Sequence, residues 1–207
     1  MKLLILVRHA HAASNVTSAV NSVPPGDGLT ATGMEQSEEL ARLLSAETID
    51  RGVSSRLLRA TATLEIALAG RHVPRTEEPL LDEIGFGAFE GGSLDAYHVW
   101  AWGHGPAVAG PGGAESRAGA AARITAGLES LLACREETIL AVTHGLPVRY
   151  VVDAAGGRSP RRRLTPVSHA TPFRLEHDEV ERAAALLRAW SLDPAFDDAE
   201  RNTPFGG

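Results

Sequence analysis

Two stretches of this chain are apolar without interruption: Leu3-Leu4-Ile5-Leu6-Val7 near the start and Ile139-Leu140-Ala141-Val142 inside TILAVT. A strand with one wet face alternates polar and apolar residues. A strand that is apolar at every position must be covered on both faces, which is the condition of a parallel sheet sandwiched by helices. Helical patterns fall between and after these strands. Leu40, Ala41, Leu43 and Leu44 mark a buried stripe that Thr30 or Thr32 can cap, and a second helix runs from about Arg56 to Leu68, stopped by Gly70. Ala118, Ala121, Ala122, Ile124, Leu128, Leu131 and Leu132 recur at helical spacing, and a helix with Pro147 in its first turn follows His144-Gly145. With short strands at Ile49 to Ser54 and around Val73, and a helix from Leu94 to Trp102, the alternation predicts an α/β fold. It is a three-layer αβα sandwich with a mostly parallel sheet.

The 207 residues fit one domain, 1–192, with a lid or cap region at about 80–115 and a poorly ordered tail at 193–207. Near the end, Phe173 to His177 alternates like a strand, whereas Glu179 to Trp190 reads locally as helix. A net charge of -6 argues against a nucleic-acid partner. Arg161-Arg162-Arg163, the one basic triplet, is flanked by glycines and Pro160 and reads as a solvated loop. A lone cysteine, Cys134, allows no intrachain disulfide, no apolar run is long enough to span a membrane, and MKLLILV is too short for a signal segment. These features point to the cytoplasm. Lys2 is the sole lysine, so chemistry that needs an internal lysine is excluded.

Ligands of open α/β sheets gather at the carboxyl ends of the strands. Arg8-His9 follows the first apolar run, Ser54-Ser55 leads to Arg59 after the second strand, and His144-Gly145 follows TILAVT; Glu83 sits in a glycine-rich loop. Two arginines, two histidines and a carboxylic acid meeting there would form an anion site with its own nucleophile and acid.

The motifs resemble those of the histidine phosphatase superfamily, in its phosphoglycerate-mutase-like branch, over most of residues 2–155. Arg8-His9-Ala10 with Asn15 stands for R-H-G-x-x-x-x-N, and DGLTATGMEQ is similar to D-x-x-L-T-x-x-G-x-x-Q with one residue fewer after the aspartate. SSRLLRATAT, LDEIGFGAFEG, GGAES and VTHG follow in the family's order. The resemblance implies a metal-independent, cofactor-free phosphatase acting on a phosphorylated small molecule through a phosphohistidine, and a mixed six-stranded sheet in which Phe173 to His177 and Ala183 to Trp190 pair as a late antiparallel hairpin. It implies His9 as nucleophile, His144 as the second catalytic histidine and Glu83 as general acid and base. Arg8, Asn15, Arg59 and Gly145 would hold the phosphate. Physical chemistry agrees with these roles: guanidinium forks suit a phosphate dianion, nearby positive charge favours a neutral imidazole, and helix N-termini accept anions.

Ala10 replaces the family glycine, and Ala114 is inserted within GGAES, so Glu115 and Ser116 take no assigned role. Glu90 reads as structural, Arg56 as a surface residue and His11 as a rim residue. His72, His98, His104, His169 and His177 read as surface or loop, with Trp100 and Trp102 packing the lid. A metal hydrolase built on His9-x-His11 is disfavoured by the short chain and the missing lysine. A phosphoglycerate-type phosphomutase and a non-catalytic phospholigand-binding domain are the alternatives. The aromatic-free stretch NVTSAVNSVPPGDG favours water as acceptor over a second sugar-acid hydroxyl. Phosphosugars, phosphoglycerate derivatives, cobalamin-pathway phosphates and phosphoproteins all stay open as substrates. The oligomeric state is likewise open, a dimer being one option.

Overall fold

The computed structural model describes residues 1–196; the remainder of the expected tail, 197–207, lies outside the described residues. Strands β1 (Leu3–Arg8), β2 (Arg51–Ser54), β3 (Arg75–Glu77), β4 (Thr138–Thr143) and β5 (Pro172–Glu176) form one sheet in the order β3-β2-β4-β1-β5. The first four are parallel, and β5 runs antiparallel along β1. The two apolar runs are neighbours at its centre, Leu4 beside Ile139 and Val7 beside Val142. Their residues alternate between two cores. Ile5, Val7, Leu140 and Val142 pack on Leu40, Leu44, Leu64 and Leu68 from α2 (Ala31–Leu43), its end, and α3 (Leu58–Ala67). Leu4, Leu6, Ile139 and Ala141 pack on the other side with residues of α5 (Arg117–Leu132), α6 (Gly145–Ala155) and α7 (His177–Leu192). Both faces are thus covered, which is why neither strand carries a polar residue in its interior.

The sheet has five strands among the described residues, not six. The expected hairpin does not form because the segment after β5 is α7. Val180, Ala183, Ala184, Leu187 and Trp190 recur every three or four residues and are all buried. No alternation is available to a strand, and local helical periodicity prevails. The tail also begins differently from expectation. Phe196 is buried, stacks toward Trp190 at 5.8 Å, and carries the Arg162 guanidinium 4.9 Å above its ring. Arg162 is therefore not part of a solvated loop. Its Nη1 donates to the carbonyls of Trp102 and His104 at 2.8 and 3.1 Å, at the end of α4 (Leu94–Gly103), where helix carbonyls favour a cation.

The carboxyl ends of β2, β4 and β1 lie side by side, with Arg8 opposite Thr143 and Ser54 opposite Val142. The loop after β1 continues through the short helix α1 (Ala13–Thr17) and is held down by the start of α2. Thr30 caps α2 by accepting from Gly33 N at 3.1 Å, while its own backbone N donates to His11 O at 3.0 Å. A methyl group at Gly33 would run into that same His11 carbonyl. Gly33→Ala is therefore expected to lower folding stability by about 1–3 kcal/mol. Gly103→Ala, where nothing lies in the way, should stay within ~0.5 kcal/mol of the parent. Urea melts of the two variants check the contrast.

Candidate active site

Arg59 lies in the first turn of α3 and is 3% exposed. Its Nε donates to His9 Nε2 at 3.1 Å and its Nη2 to His144 Nδ1 at 3.3 Å, so one guanidinium spans both imidazoles. Nη1 pairs with Asp27 Oδ1 at 3.0 Å, and Nη2 also donates to Asn21 O at 2.7 Å. The two rings stand 5.1 Å apart, tilted by 56°.

These contacts assign the tautomers. His9 Nδ1 lies 2.8 Å from Ala10 O, an acceptor only, so Nδ1 carries the proton and Nε2 presents its lone pair to Arg59. His144 accepts from Arg59 at Nδ1, so its Nε2 donates to Ser55 Oγ at 2.7 Å. Burial, reinforced by Arg59, holds both histidines well below the ordinary imidazole pKa. Both are neutral at physiological pH.

Arg8 ends β1, donates from Nη1 to Val167 O at 2.6 Å, and leaves a buried Nε with no partner among the described residues. Gly145 opens α6 against it: a side chain there would meet Arg8 Nε at 3.6 Å. Asn15 lies in α1, where its Oδ1 accepts from Ala12 N at 2.9 Å, tying the loop together. Ala10 is buried and does not occupy the left-handed region, so the replacement of glycine strains nothing. Its N donates to Thr63 Oγ1 at 2.9 Å, and that hydroxyl donates to Arg59 O at 2.7 Å, which joins the His9 turn to α3.

Glu83 follows a one-turn 3-10 segment, Pro79–Leu81. Among the described residues its Oε1 accepts only from Ile84 N, at 2.9 Å. Burial raises its pKa, and Arg59, Arg8 and Arg123 oppose that rise only in part. The loop is clamped from behind by a residue the sequence did not single out. Arg123 of α5 donates to the carbonyls of Leu80, Asp82 and Glu83 and pairs with both carboxylate oxygens of Glu115. An arginine within an alanine-rich buried stripe was the available signal. Glu115 thereby gains a structural role, Ser116 caps α5, and Glu90 accepts from Ser22 N and Oγ. Arg56 is exposed, as expected of a surface residue, and its Nη2 and Nε both donate to Asp82 Oδ2 at 2.6 and 2.9 Å.

His169, expected at the surface or in a loop, lies in a loop and stands beside His9. Its Nδ1 donates to His9 O at 2.9 Å, its ring lies 5.4 Å from that of His9, and burial beside Arg8 pushes its pKa down to about 4. No sequence spacing announces it, since it arrives from the loop before β5.

A family model described as the histidine phosphatase superfamily (branch 1) matches residues 4–189. The chain belongs to that superfamily. An adenosylcobalamin/alpha-ribazole phosphatase of Salmonella typhimurium is 38% identical over 87 residues, 42% of this chain and 43% of that protein. The match thus spans under half the length of this curated relative. Among solved structures, the alpha-ribazole phosphatase from Shigella flexneri superposes with a TM-score of 0.71 at 25% identity, covering 83% of this chain and 89% of its own. A crystal structure of a Thermus thermophilus protein gives 0.64 at 31% identity, covering 83% and 92%.

Nitrogen-detected NMR of the imidazoles checks the electrostatics. His9 and His144 should stay neutral at pH values well under 6.5, and His169 should titrate near 4. Because unfolded histidines bind protons at about 6.5 and these folded ones do not, stability should fall as pH drops below that value. Titration of His9 or His144 near 6.5 would contradict this geometry.

Proposed function

We propose that the chain is a phosphatase that hydrolyses a small-molecule phosphate monoester through a phosphohistidine at His9. The observation that carries this reading is the neutral His9 ring with its Nε2 lone pair beside Arg59, His144 and Arg8. The names of the relatives support a phosphate monoester as substrate.

The phosphoryl group would sit among Arg8, Arg59, His144 and the N-terminus of α6 at Gly145, with the Asn15 amide nitrogen as a further donor. Arg59 Nε, which faces His9 Nε2 in the present structure, would pass its hydrogen bond to a phosphoryl oxygen. His9 Nε2 forms a bond to phosphorus as the bond to the leaving oxygen breaks, and Glu83 delivers its proton to that oxygen. Water then attacks phosphorus, Glu83 takes its proton, and the P–N electron pair returns to His9. Arginine donors stabilise the charge of both transition states. Segment 80–115, which contributes Glu83 and α4, would cover the site.

His9→Ala should abolish phosphate release. Glu83→Gln should lower kcat about 10²- to 10⁴-fold toward an alkyl phosphate, the usual worth of a general acid. In the parent, activity should decline as pH rises through the raised pKa of Glu83, and Glu83→Gln should lose that limb. Vanadate should inhibit, and activity should persist in EDTA. Undiminished activity in His9→Ala, or phosphoryl transfer to a second sugar-acid hydroxyl faster than to water, would overturn the proposal.

A further inference from the structure

Beside Glu83 the site opens into a cavity of about 220 Å³. Arg8, Glu83 and Gly145 belong to its lining, so the group attached to a phosphoryl held by them would extend into the remainder. The remaining lining is mostly apolar and rich in rings. Phe86 meets Tyr97 edge-on with centroids 4.8 Å apart at 85°, and His98 lies flat on Trp102 at 5.0 Å and 10°. Burial lowers the His98 pKa, so that ring adds no charge. Apart from Arg8 and Glu83, the charged residue in the lining is Arg117. Arg117 is engaged by the protein: Nε donates to Tyr150 Oη at 2.6 Å, Nη2 donates to Arg161 O at 3.1 Å, and its Cζ lies 5.3 Å from the Tyr150 centroid.

Besides Arg8 Nε, one polar atom of this lining stands out. Tyr97 is 3% exposed, and its buried hydroxyl has no hydrogen-bond partner among the described residues. Buried hydroxyls in folded proteins are paired, and a solitary one beside a cavity calls for an acceptor brought by a ligand. Burial raises the phenol pKa, so the group acts as a donor. A compact polyanion would lose its water among these rings without finding a second anion receptor, whereas a flat ring would gain burial and edge contacts.

We infer that the substrate's alcohol carries a flat aromatic or heteroaromatic ring with a hydrogen-bond acceptor, seated against Phe86, Tyr97 and Trp102 with the acceptor toward the Tyr97 hydroxyl. This rests on the phosphatase reading and specifies its leaving group.

Purified full-length protein is assayed for phosphate release from phenethyl, pyridylethyl and glycerol phosphates, from phosphoglycerate, and from p-nitrophenyl phosphate as a general reporter. The kcat/KM for phenethyl phosphate should exceed those for glycerol phosphate and phosphoglycerate by about tenfold or more, in the range that pocket contacts deliver. Pyridylethyl phosphate should exceed phenethyl phosphate in the parent, and Tyr97→Phe should equalise the two. Trp102→Ala should bring the phenethyl-to-glycerol ratio close to one. Tyr97→Phe preserves packing and carries the test if Trp102→Ala does not fold. Phosphoglycerate or glycerol phosphate turned over as well as phenethyl phosphate, or ratios unmoved in the variants, would overturn the aromatic subsite and leave the phosphatase reading standing. Release from none of the five would overturn that reading instead.

Discussion

A single buried guanidinium organises this site. Arg59 reaches both imidazoles and Asp27 at once, and those partners come from three separate parts of the chain. Its rigid fork is what makes this geometry possible, because a lysine would supply a point charge without fixed directions. Burial, reinforced by this permanent positive charge at hydrogen-bond distance, keeps His9 and His144 neutral, and the N–H vectors of Arg59 decide which nitrogen of each carries the lone pair. The positive charge of the cup and the orientation of its imidazole lone pairs therefore both depend on Arg59.

The carboxylates around the site divide the work sharply. Asp27 pairs with Arg59, Asp82 with Arg56, and Glu115 with Arg123, each holding an arginine in place. Among the described residues Glu83 has no such direct pairing and is hydrogen-bonded only to the backbone of its neighbour. The paired acids hold arginines in place, whereas Glu83, partly buried with a raised pKa, is suited to carry a proton. Arg123 connects the two groups, since it fixes the Glu83 loop through backbone carbonyls while Glu115 fixes Arg123.

Much of this was legible in the sequence, because strands covered on both faces leave uninterrupted apolar runs and strand ends carry the polar residues of open α/β sheets. Arg8, His9, Arg59 and His144 could be proposed on those grounds, and helix α7 was visible in its own periodicity even where family resemblance argued for a hairpin. The contributions of His169, Arg117, Arg123 and Tyr97 were not legible. Each reaches the site from a segment whose local pattern serves another purpose: a loop before an edge strand, an alanine-rich helix, an aromatic helix. Arg162 was misread for a related reason, since a basic triplet in a glycine-rich context looks solvated until the carbonyls at the end of α4 and the ring of Phe196 are seen beside it.

The identity of the attacking imidazole nitrogen is the decisive point. Rapid mixing with labelled substrate, alkaline quenching and phosphorus NMR of the denatured phosphoprotein identify both the residue and the nitrogen. The geometry predicts an acid-labile adduct on His9 at Nε2. Phosphate attached at Nδ1, on His144, or on an oxygen nucleophile would contradict it.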